Sequence, residues 1–62
     1  MERPITQHDI ILCGAGYNGN LKKFQYKDRR NGNVLREFET TLQDMQQKAS
    51  EVWDELFISL FS

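Results

Sequence analysis

Two side chains of this sequence invite a reading as nucleophile and base. Cys13 is its only cysteine and His8 its only histidine. A thiol and an imidazole cooperate only within hydrogen-bond reach and with a third group orienting the base. Five positions apart on one extended segment, they are separated by about 16 Å. The pair therefore does not meet, and no catalytic residues are expected. One cysteine and one histidine also cannot assemble a His/Cys zinc site, and a lone cysteine forms no intramolecular disulfide. Glu51, Asp54 and Glu55 cluster at helical spacing, and such oxygens suit a hard cation. The same spacing is the ordinary solvated face of an amphipathic helix, which is the reading adopted, and no metal is expected.

A second group of residues could grip phosphate. Lys22, Lys23, Lys27, Arg29, Arg30 and Arg36 crowd one stretch, with Phe24 and Tyr26 interleaved. Cations beside aromatic rings bind nucleic-acid backbones and stack on bases. The charge is lopsided: residues 1–36 hold seven Lys and Arg against three Asp and Glu, or +4, and residues 37–62 hold one against six, or −5. The total of −1 falls short of the strongly basic profile of nucleic-acid binders. Phe24 and Tyr26 are also the best apolar material for a core, so nucleic acid is the alternative partner and not the first.

Gly14, Gly16 and Gly19 stand in the pattern G-x-G-x-x-G directly after the apolar run Ile11-Leu12-Cys13. The nine residues from Ile11 to Gly19 resemble the dinucleotide-binding fingerprint of Rossmann domains. The resemblance implies a helix opening at the third glycine, a pyrophosphate on its N-terminus, and an acidic residue about 20 positions on, near Glu37 or Glu39. The residues that follow read otherwise. Leu21 to Asp28 alternates with period two, Phe24 and Tyr26 against Lys23, Gln25 and Lys27, as a strand does. The glycines and asparagines at 14–20 are then a loop between strands, and no cofactor is expected.

The elements that must position these groups number four. Asp9 to Cys13 is a continuous apolar run and reads as a buried strand. Leu21–Asp28 is a second strand and Val34–Thr40 a third. Asn31-Gly32 suggests a two-residue turn between them, but that register would set Phe24 and Tyr26 on the face of Glu37 and Glu39. A three-residue loop, Arg30-Asn31-Gly32, instead puts Phe24 opposite Phe38 and Lys23 opposite Glu39, with Gly32 at a positive φ. Thr40 and Gln43 form a capping box. After it Leu42, Met45, Ala49, Val52, Leu56 and Leu60 recur every three or four residues as one stripe of a helix.

The order β-β-β-α predicts one α+β domain over residues 1–62: a three-stranded, mainly antiparallel sheet with a C-terminal amphipathic helix packed on one face. Its expected core is Ile10, Leu12, Phe24, Tyr26, Val34, Phe38, Met45, Ala49, Val52 and Leu56. No apolar run reaches the ~20 residues that cross a bilayer. The N-terminus lacks a signal-peptide pattern and the cysteine is unpaired, so the expected location is the cytoplasm.

The end of the helix carries more apolar surface than one stripe can bury. Trp53, Phe57 and Phe61 make a second stripe at spacing four, Leu60 belongs to the first, and Ile58 lies off both. Soluble proteins cover patches of this kind. The cover could be the chain's own segment around Pro4 and Ile5, a second copy, or another protein. The acidic flank argues against a membrane. The expected function is a non-enzymatic protein-interaction module, a regulator, inhibitor or accessory subunit acting as a homodimer. Trp53, Phe57, Ile58, Leu60 and Phe61 are its interface.

Overall fold

Alternation along the central strand organises the molecule. In a computed structural model, which describes residues 4–61, a single 3-10 turn (Gln7–Asp9) leads into β1 (Ile10–Asn18), β2 (Leu21–Asp28) and β3 (Val34–Thr40), followed by α1 (Met45–Phe61). The strands form one antiparallel sheet in the order β1-β2-β3. Phe24 and Tyr26 of β2 turn toward α1, while Lys23, Gln25 and Lys27 lie on the open face, as period two requires. The fold is the α+β arrangement expected from the order of elements.

The hairpin joining β2 and β3 keeps the expected pairing by a different route. Phe24 faces Phe38 and Lys23 faces Glu39. The loop, however, is four residues, Arg29 to Gly32. The Asp28 N–H donates to the Asn33 carbonyl at 2.8 Å, and the Gly32 N–H donates back to the Asp28 carbonyl at 2.7 Å. Gly32 takes φ +76°, where a side chain would be strained. An even loop would invert the faces, and an extra residue at Leu35 restores them: Tyr26 pairs with Arg36 but Lys27 with Val34. Between bulge and turn the faces are exchanged. Val34 therefore stands on the open face, 49% exposed, and Leu35 packs on the core in its place.

Asp28 anchors this turn. Its Oδ1 accepts from the Arg30 N–H at 2.9 Å and from Arg30 Nε at 3.2 Å, and its Oδ2 accepts from an Arg30 terminal nitrogen at 3.0 Å. The Arg30 side-chain bonds, then the Arg30 backbone bond, hold the Asp28 carboxyl below its ordinary value near 3.8. A carboxyl depressed in the folded state stabilises it above the unfolded pKa, and the contribution is lost as pH falls through the folded pKa. Asp28→Asn should therefore lower the thermal midpoint at neutral pH, with the gap to wild type closing as pH falls below the ordinary carboxyl value near 3.8. Thermal melts across that range test this; a gap independent of pH would show that the ionised carboxylate is not what holds the turn.

The β1–β2 connection corrects the expected loop at 14–20. β1 runs on to Asn18, with a bulge between Gly14 and Tyr17, and closes through the two-residue turn Gly19-Asn20. Gly19 leads that turn at φ +63°, the position where a tight hairpin asks for glycine. β2 follows at once, so the helix implied by the dinucleotide fingerprint is replaced by a strand.

α1 also starts later than the capping box at Thr40 and Gln43 implies. Thr40 is the last residue of β3, buried and paired with Lys22, so it is committed to the sheet. Thr41 closes the turn that leads into α1: its Oγ1 accepts from the Asp44 N–H at 3.3 Å and donates to Asp44 Oδ2 at 3.2 Å. Leu42 falls in the turn before the helix and is exposed, outside the core stripe.

The core is Ile10, Phe24, Tyr26, Phe38, Val52 and Leu56, with Ile5, Leu35, Met45, Ala49, Trp53 and Phe61 packed around it. Phe24 and Phe38 stack at 5.4 Å between centroids. α1 packs on β3 and reaches β2 through Tyr26, whose hydroxyl donates to the Ala49 carbonyl at 2.9 Å. β1 is consequently an edge strand, buried as expected at Ile10 but open to water at Ile11 and Leu12. Leu12 lies on the helix face beside Tyr26, yet it and Ile11 are each 38% exposed. The molecule is long and thin, 42 × 21 × 14 Å, and its radius of gyration of 12.3 Å exceeds the roughly 10.6 Å of a compact chain this long.

Candidate protein-interaction surface

The residues expected to form the interface lie on the last three turns of α1. Trp53, Phe57 and Phe61, four apart, share one face and touch in series, with centroid separations of 6.2 Å and 4.9 Å. Trp53 continues the series into the core by packing on Tyr26 at 5.7 Å. Trp53 and Phe61 are half-buried, so two members of the second stripe are partly sheltered by the chain itself. Ile5, Thr6 and Gln7 supply part of that shelter. With Phe57 and Phe61 they line an apolar groove of about 310 Å³.

The shelter stops short of the outer side chains. Phe57 is 42% exposed, Ile58 63%, and Leu60 sits at the exposed limit of the first stripe. Three large apolar side chains thus remain in water within one helical turn, bordered by Asp54 and Glu55. A surface of this make-up, apolar at its centre and charged at its rim, is how a protein contact is built.

The basic residues do not converge in the same way. Lys22 and Lys23, adjacent on β2, point to opposite faces. The Lys22 ammonium lies 5.3 Å from the Phe24 ring and 5.5 Å from the Tyr17 ring. Lys23 pairs with Glu37 at 3.9 Å on the open face. Arg30 is held by Asp28, and Arg36 falls opposite Tyr26 on the helix side. Lys27 and Arg29 stay near the hairpin tip. Phe24 and Tyr26 are in the core, so their rings offer no face to a base.

The remaining chemical candidates sit in different elements. His8 is exposed in the 3-10 turn, and Cys13 is a free, half-buried thiol in β1. Among the described residues no three His, Cys, Asp or Glu side chains gather as a metal site. No helix of the described residues is long and apolar enough to cross a membrane. A second, polar cleft of about 460 Å³ lies between the end of β3 and the start of α1, where Glu39, Asp44 and Glu51 bring carboxylates beside Lys48.

The exposed edge at Ile11 and Leu12 escaped the reading of residue types, because an apolar run looks buried whichever side of a sheet it occupies. Topology held the clue: two successive hairpins set the first strand at an edge. These features define an α+β protein whose outstanding surface is the apolar patch at the end of α1. No protein-family model, curated protein or solved structure matches the chain.

Proposed function

We propose that this chain is a non-enzymatic protein-interaction module, a regulator, inhibitor or accessory subunit, which works as a homodimer in the cytoplasm. The observation that carries the reading is the exposure of Phe57, Ile58 and Leu60 together at the end of α1. Fully burying a side chain of this size is worth about 1.5–3 kcal/mol. A thin domain of this size has little stability to spare, and a second copy offers the same gain to both partners. The free thiol of Cys13 suits a reducing compartment. Nucleic acid remains the alternative partner, but its basic residues are spread over two faces and the tip, and no observation favours it.

Light scattering on the full chain tests this reading. The expected mass is twice the 7.3 kDa of one chain. Phe57→Ser combined with Ile58→Ser should raise the dimer dissociation constant by at least about tenfold while leaving the circular dichroism spectrum unchanged. A folded wild-type monomer at high micromolar concentration would overturn the homodimer.

A further inference from the structure

The two edges of the sheet are guarded very differently. β3 carries Arg36, Glu37 and Glu39, is broken by the bulge at Leu35, and has α1 packed on it. Charges and bulges of this sort discourage a further strand. β1 has none of these over its first half. Its nine residues, Ile-Ile-Leu-Cys-Gly-Ala-Gly-Tyr-Asn, include no Asp, Glu, Lys, Arg or Pro, and its pairing with β2 is regular from Ile10 to Gly14. A flat, uncharged, apolar edge is a template for pairing.

Hydrogen-bond parity says which groups are on offer. The Arg29 N–H donates to the Asp9 carbonyl, and the Asp28 N–H on the other side of β2 donates to Asn33. Odd residues of β2 therefore bond to odd residues of β1, and Leu12 and Gly14 turn their N–H and C=O outward. The Ile10 N–H already donates to the Gln7 carbonyl, which leaves its C=O.

We infer that β1 pairs antiparallel with β1 of a second copy about a two-fold axis at Leu12, joining the two sheets into one of six strands. This rests on the homodimer reading above and adds the seam. The segment is self-complementary. Leu12 exchanges both main-chain bonds with the partner's Leu12, and each Gly14 N–H meets the partner's Ile10 carbonyl. On the open face Ile11 lies against the partner's Cys13, and on the helix face the two Leu12 side chains meet, so both faces of the seam are apolar and no like charges are opposed. The exposed parts of Ile11 and Leu12 are covered. The assembly closes, because the only edges left are the two guarded β3 strands.

Strand pairing over five residues falls short of the roughly 1,200–2,000 Å² that a stable interface buries. The remainder comes from α1. A two-fold axis perpendicular to the sheet keeps both helices on one face, and the groove shared by Phe57, Phe61 and Ile5 to Gln7 puts the end of α1 beside the residues that lead into β1. The apolar helix end thus borders the seam.

Cysteine pairing reads the register directly. Ile11→Cys places a thiol opposite the partner's Cys13 in a non-hydrogen-bonded pair, with Cα atoms about 4.5 Å apart, inside the disulfide range. Mild oxidation should give a covalent dimer. Wild type should not cross-link, since the two Cys13 residues sit diagonally, about 7–8 Å apart. Adding Cys13→Ala to Ile11→Cys should abolish the cross-link. Separately, Leu12→Lys opposes two ammonium groups at the axis and should raise the dimer dissociation constant at least roughly tenfold. If that variant does not fold by circular dichroism, the cysteine pattern decides. If wild type is a dimer but Ile11→Cys gives no covalent dimer on oxidation, the seam is overturned and the homodimer reading stands; a wild-type monomer overturns both.

Discussion

Leu56→Ala is expected to leave much of the chain unfolded at room temperature. Leu56 is the most completely buried large side chain, 2% exposed, at the point where α1 meets the sheet. Removing such a side chain costs about 2–5 kcal/mol, the lost transfer free energy plus the cavity left behind. A folded domain holds roughly 0.05–0.15 kcal/mol per residue, which for this length is on the order of 3–9 kcal/mol. Loss and reserve are comparable, and no disulfide makes up the difference. Urea unfolding followed by circular dichroism measures the effect. Leu56→Met, which keeps the volume, should cost under about 1.5 kcal/mol. Leu60→Ala, one turn further along the same stripe, should cost far less when measured at concentrations low enough to keep the chain monomeric, because there Leu60 is partly in water. Equal losses at 56 and 60 would mean that the stripe is buried evenly, and that the end of α1 is not the exposed surface described above.

That contrast shows what was legible in the sequence. The 3.6-residue stripe identified α1 and the burial of Val52 and Leu56, because a helix has only one way to present residues three and four apart. Period two identified β2, and the demand that aromatic residues share a face selected Phe24 opposite Phe38 without knowledge of the turn. The turn itself was not legible. A three-residue loop and a four-residue loop with a bulge give the same parity along most of β3, and they differ only at Val34 and Leu35, whose apolar types suit either face. Thr40 followed by Gln43 has the pattern of a capping box, and only its pairing with Lys22 shows that it belongs to the sheet. For the interface, Phe57, Ile58 and Leu60 could be counted as surplus. The partial cover of Trp53 and Phe61 could not, since it depends on where Ile5 returns in space.

Tyr26 is the second position where a large effect is expected, and it separates ring from hydroxyl. The ring is buried against Phe38 at 5.9 Å and Trp53 at 5.7 Å, so it joins the sheet to the helix. Tyr26→Ala removes that joint and should cost about 3–5 kcal/mol, the range for deleting a buried aromatic side chain. Tyr26→Phe keeps the ring and removes only the bond to the Ala49 carbonyl, which should cost about 0.5–1.5 kcal/mol. The low end is expected, because a helical carbonyl keeps its main-chain partner on the other lone pair. Burial also raises the Tyr26 hydroxyl above its ordinary 10.0, since a phenolate would lose its hydration there. A group with a raised folded pKa gives stability that is fully present below the unfolded pKa and lost as pH rises through the folded one. The advantage of wild type over Tyr26→Phe should therefore hold from neutral pH to about pH 10 and shrink above it. Paired urea titrations of the two proteins on either side of that value measure the difference directly, and the other alkaline titrations cancel between them. A difference that stays constant through the alkaline range would mean that the hydroxyl is in water and does not bond the helix, and the packing of α1 on β2 would then rest on the aromatic contacts alone.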